Sequence, residues 1–94
     1  MVVGLEESLR LSVAALMQAT GQSQRVVAGV LGLTQAQVSR RQSGASSWTL
    51  RDADALAGFY GIDVLDLLAG PTRACEALMA RQDSRAGTAK GAAR

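Results

Sequence analysis

The side chains with the most evident chemistry in this chain are its arginines. Arg10, Arg25, Arg40, Arg41 and Arg51 all fall between Ser8 and Arg51, a stretch without a single acidic residue. A guanidinium is permanently charged and presents a fork of N–H donors that suits phosphate oxygens. Glu6 and Glu7 precede the stretch, and acids resume at Asp52, Asp54, Asp63, Asp66 and Glu76. A basic segment bounded by acidic ones is the footprint expected of a small nucleic-acid-binding protein. The same pattern also describes a solvated arginine face with no partner, and a net charge of +2 does not separate the two. Other chemistry is poorly provided for. The chain has no histidine, which excludes histidine-ligated zinc and histidine-based triads. Its one cysteine, Cys75, allows no internal disulfide and reads as a small hydrophobe of a reducing compartment. The carboxylates are scattered and no glycine-rich phosphate loop occurs, so neither an enzyme nor a cofactor or metal site is expected.

The arginines need a scaffold, and residues 24–43 spell one. Ser23 is a good N-cap, Val27, Ala28 and Leu31 make an apolar side, and Gly32 breaks the helix after two turns. Thr34 caps a further helix running from Gln35 to Gln42, which Gly44 stops. Two short helices across a tight glycine turn form a helix-turn-helix. For the second to project outward, the first must approach closely, which asks for the small Ala28. The turn asks for a residue tolerant of positive φ, Gly32, and the second helix needs an inward anchor, Val38. Leu31 and Leu33 fill the space around the turn. Gln35, Ala36, Gln37, Ser39 and Arg40 are then left facing outward, toward solvent or toward DNA.

The remaining chain supplies the supports. Leu5, Leu9, Val13 and Leu16 recur at helical spacing and predict a first helix over 5–20, closed by Gly21. Thr49 and Asp52 have capping-box spacing and open a fourth helix that buries Leu50, Ala53, Leu56, Ala57 and Tyr60 before Gly61. Asp63 caps a short fifth helix with Val64, Leu67 and Leu68, stopped by Gly70-Pro71. Pro71 suits the first turn of a sixth helix over 71–82, with Ala74, Cys75, Leu78 and Met79 on one side. Met17 and Met79 read as core filling. Residues 83–94 read as a flexible basic tail whose Arg85, Lys90 and Arg94 either solubilise the chain or touch phosphate nonspecifically. The expected fold is all-α, because Ala, Leu and Val supply the apolar content and only Trp48, Phe59 and Tyr60 are aromatic. Trp48, in the 44–48 loop, reads as a hydrophobic lid over the third and fourth helices, with a DNA-backbone contact through its indole N–H as the alternative.

The run from Gln24 through Ala28, Gly32, Thr34, Gln35 and Val38 to Ser39-Arg40 resembles the helix-turn-helix of the Cro/Xre, or lambda-repressor-like, family. Gly44, Leu56-Ala57, Gly61, Asp63 and Leu67-Leu68 extend the resemblance over residues 5–70. It implies a five-helix DNA-binding domain over 1–70, followed by an extra helix or dimerisation segment at 71–82. It also implies site residues. Gln24 is similar to the glutamine that contacts phosphate at the start of the second helix, and Gln35 to the first reading residue of the recognition helix. In some members these two glutamines bond each other. Gln35 would then pair with adenine N6 and N7, and Arg40 with guanine O6 and N7. Gln37 and Ser39 are further reading positions, Ala36 lies among them, and Ser23, Thr34 and Ser43 match backbone-contacting positions. Two residues depart from the pattern: Arg41 stands where an apolar residue is usual, and Gln42 where glutamate is. Both make the helix more basic and less anchored, with the Arg41 stem packed and its head on phosphate.

What the resemblance implies is a sequence-specific transcriptional regulator, a repressor, binding double-stranded DNA as a homodimer over inverted half-sites about one turn apart. Leu65, Leu68, Leu78 and Met79 are the expected dimer surface. The alternative is an antitoxin or another protein-interaction module of the same fold. No small-molecule effector is expected. The absence of an apolar run of about 20 residues, and of a basic, cleavable start, predicts a cytoplasmic chain away from membranes.

Overall fold

In the computed structural model, the backbone of residues 4–92 and the side chains of residues 4–82 are described. Six helices follow one another: α1 (Leu5–Thr20), α2 (Gln24–Leu31), α3 (Gln35–Ser43), α4 (Leu50–Tyr60), α5 (Val64–Leu68) and α6 (Pro71–Ala92). No strand occurs among the described residues, so the fold is all-α. No helix among them is long and apolar enough to cross a membrane.

The helix boundaries follow from local chemistry. Ser23, Thr34, Thr49 and Asp63 each cap a helix by accepting a backbone N–H. Thr34 with Gln37 and Thr49 with Asp52 form full capping boxes, which satisfy two end donors apiece. At the α2–α3 turn, Gly32 adopts φ 67° while a Cβ there would meet nothing within 4 Å. Glycine is therefore required by backbone conformation, not by crowding.

The core runs through all six helices. Val13 and Leu16 of α1, Val27 of α2, Val38 of α3, Leu56 of α4 and Leu67 of α5 are completely enclosed, and Ala74 and Leu78 bring α6 onto them. Cys75 is half-buried against this cluster and unpaired, as a small hydrophobe would be. Trp48 is 5% exposed. It lines an apolar cleft of about 240 Å³ with Leu5, Leu9, Leu50 and Leu68, and its indole Nε1 is buried without a hydrogen-bond partner.

Several side chains expected inside are outside. Leu5 and Leu50 are exposed, because each is the first residue of its helix and its side chain leans back past the end of the packed face. Met79 is exposed because Ala74 and Leu78 already occupy the line of contact and the next residue is rotated off it. Conversely, Leu78 is buried and Leu68 partly buried, so neither serves the expected dimer surface, and only Leu65 and Met79 of that set stand out. The sixth helix does not stop near residue 82 but continues to Ala92. Residues 83–92 contain no proline, and their alanines, Arg85 and Lys90 are good helix formers that outnumber the weak Gly87 and Gly91. The roles expected of Arg85, Lys90 and Arg94 lie outside the described side chains.

Ala28, 5% exposed, lies where α2 meets its neighbours. Ala28→Leu is expected to lower stability by about 1–3 kcal/mol through overpacking. The check is urea unfolding, and an unshifted midpoint would contradict close packing there. Burial of Tyr60 raises its phenol pKa, with the Thr20 hydroxyl acting in the opposite direction. The folded state thus favours the neutral phenol, a contribution fully present below pH 10.0 and lost as pH rises from there toward the folded value. Thermal melting followed upward from that pH should fall for the unaltered chain and fall less for Tyr60→Phe. Equal slopes would contradict the shift.

Candidate nucleic-acid interface

The residues of α3 divide into two stripes. Val38, Arg41 and Gln42, at i, i+3 and i+4, face the protein, and Val38 is its one fully buried side chain. Gln35, Ser39 and Ser43 at four-residue spacing, with Ala36 and Arg40 beside them, form an outward stripe on which every residue is exposed. Gln35, Ala36, Ser39 and Arg40 were expected to face outward; Gln37, expected with them, is exposed beside the stripe, and Ser43 joins it. No ion pair among the described residues involves Arg40.

Several site residues are occupied in holding the helix. The Thr34 hydroxyl accepts from Gln37 N at 3.1 Å, and the Gln37 carboxamide oxygen accepts from Thr34 N at 2.8 Å. Gln37 is exposed, but its oxygen is folded back onto the helix start, and its N–H donors make no hydrogen bond among the described residues. Ser23 accepts from Val26 N at 3.3 Å. The Ser43 hydroxyl donates to the Arg40 carbonyl at 3.0 Å and accepts from Ala45 N, which closes the last turn.

Arg41 corrects the sequence reading. Its guanidinium is turned to the protein: Nε donates to Asp52 Oδ2 at 2.9 Å, with the two side chains only 17% and 9% exposed. The same Asp52 oxygen accepts from Thr49 N at 3.1 Å to cap α4. A half-enclosed arginine needs a counter-charge, and Asp52 supplies it while joining α3 to α4. The end of α3 is thus anchored by a polar contact where an apolar one was missing. Arg10 is likewise engaged. It pairs with Glu7, also donating Nε to Oε1 at 2.9 Å, and reaches the Gln42 carbonyl at 3.4 Å. Both arginines line a cleft of about 260 Å³ beside Glu6 and Glu7, so carboxylates of the protein itself meet their charge. Of the five arginines in the acid-free span, Arg25, Arg40 and Arg51 are the exposed ones.

The expected pairing of Gln24 with Gln35 is absent. Gln24 Nε2 donates instead to Gln42 Oε1 at 2.6 Å, across the α2–α3 contact. Gln24 is half-buried and takes a protein partner, whereas Gln35 is exposed to solvent. Sequence reasoning missed Asp52 as an ion-pair partner, because its capping role already explained it. Glu7–Arg10, at i, i+3, was detectable from spacing alone.

No family model matches the chain, nor does any curated protein or solved structure.

Replacing Asp52 by Ala removes the ion pair and the α4 capping box together and should cost about 2–4 kcal/mol. Arg41→Met keeps the packed stem but strands the Asp52 charge, at about 1–3 kcal/mol. In denaturant unfolding, the pair Arg41→Met with Asp52→Asn should lose less than the sum of its singles. Strict additivity would mean that the pair contributes nothing.

Proposed function

We propose that this chain is a sequence-specific duplex-DNA-binding protein, a transcriptional repressor of the Cro/Xre type, whose α3 enters the major groove. The observation that carries the reading is the outward stripe Gln35, Ala36, Ser39, Arg40 and Ser43, exposed on a helix whose opposite side is fixed by Val38, Arg41 and Gln42. An α-helix with its side chains is about 10–12 Å across, which suits a major groove about 12 Å wide. The Arg40 fork suits guanine O6 and N7, and the Gln35 carboxamide suits adenine N6 and N7. Exposed Arg25 and Arg51, with the amides at the starts of α2 and α3 beside Ser23 and Thr34, suit phosphate. Two copies over inverted half-sites would supply the affinity that one small domain lacks, and a cytoplasmic location agrees with this role.

A protein-interaction module, an antitoxin among them, is the second reading. Leu50, Leu65 and Met79, at 71%, 70% and 62% exposed, favour it, since large apolar side chains so placed are suited to a partner.

Selection from a random duplex pool, followed by fluorescence anisotropy under salt titration, distinguishes the two. A DNA reader enriches a defined half-site and weakens steeply as salt rises; a protein-only module enriches nothing. Paired inverted half-sites in the selected pool would indicate a dimer, and a lone half-site a monomer. Arg40→Ala is expected to weaken binding to the selected site by about 1–3 kcal/mol while sparing random DNA. Equal loss on both would make Arg40 a phosphate contact only.

A further inference from the structure

The hydrogen bonds at the end of α3 form a directed relay. Gln42 Nε2 donates to Met17 Sδ at 3.2 Å, and Gln42 Oε1 accepts from Gln24 Nε2 at 2.6 Å. A thioether sulfur has no hydrogen and can only accept. The Gln42 nitrogen must therefore face Met17, its oxygen must face Gln24, and the Gln24 nitrogen must face that oxygen. One acceptor-only atom, on the buried Met17 of α1, assigns both carboxamides.

Gln24 is the first residue of α2, beside the exposed Arg25. Its nitrogen carries two hydrogens and spends one on Gln42. The other remains for an acceptor, and a phosphate oxygen is only an acceptor. Had the carboxamide been reversed, lone pairs would meet lone pairs. Gln42 also accepts Arg10 on its backbone carbonyl, so it touches α1 twice as well as α2.

We infer that Gln42 is a positioning residue for DNA binding: through the relay from Met17 it holds the Gln24 carboxamide with one N–H free for the phosphate backbone, and it locks the start of α2 to the end of α3 in one register. This rests on the DNA-binding reading above.

A double-mutant cycle tests it. Gln24→Ala removes the donor, and Gln42→Met keeps side-chain bulk but abolishes the carboxamide. Each is expected to weaken binding to the selected duplex about five- to tenfold, and the two together no more than either alone. Arg25→Gln, outside the relay, should add its loss to that of Gln42→Met. Thermal melting identifies any variant that fails to fold. Met17→Leu preserves apolar filling but removes the acceptor, and should shift the side-chain amide NMR signals of both Gln42 and Gln24 in the free protein. Unchanged binding by folded Gln42→Met, multiplicative losses in the cycle, or a Gln24 signal indifferent to Met17→Leu would each overturn the relay. An unaltered chain that binds no duplex at low ionic strength overturns the DNA-binding reading itself, a result seen before any variant is made.

Discussion

A nine-residue helix with one fully buried apolar side chain cannot fix its own orientation by hydrophobic contact. Val38 sets how closely α3 approaches the core, but one anchor leaves the helix free to pivot. Its tilt and rotation are set by hydrogen bonds from its last turn: Arg41 to Asp52 of α4, Gln42 to Gln24 of α2, and Gln42 to Met17 and Arg10 of α1. Three neighbouring helices converge on two adjacent residues. The outward stripe has a defined direction only because that turn is held.

Polar anchoring has a consequence for charge. A protein that spends Arg10 and Arg41 on Glu7 and Asp52 presents a weaker positive field than its acid-free span suggests. Within that span, what remains exposed is Arg25, Arg40 and Arg51. The arginines that sequence counts alike thus divide into those that build the scaffold and those that face outward.

The remaining helices have a supporting role. α1 runs behind the helix-turn-helix and contributes Leu9, Val13, Leu16 and Met17 to its backing. α6 closes the far side through Ala74 and Leu78. The apolar side chains left at the edges, Leu5 and Leu50 around one cleft and Leu65 and Met79 on α5 and α6, belong to helix ends and off-axis positions that the core does not reach.

How much of this was legible in the residues depends on the range of the interaction. Helix starts at Ser23, Thr34, Thr49 and Asp63, stops at Gly32, Gly44 and Gly61, the inward Val38 and the outward Gln35, Ser39 and Arg40 could all be read directly. Caps join residues two or three apart, and helical periodicity repeats within a turn or two, so the information is contained in adjacent letters. Asp52 as partner of Arg41, Gln42 in place of Gln35 as partner of Gln24, the exposure of Met79, and the burial of Leu78 could not. The exposure of Leu5 and Leu50 follows from their place at helix starts, but the other partnerships and burials depend on the angle and separation at which two helices cross. That geometry is set by the packing of the whole core, and no spacing along the chain encodes it.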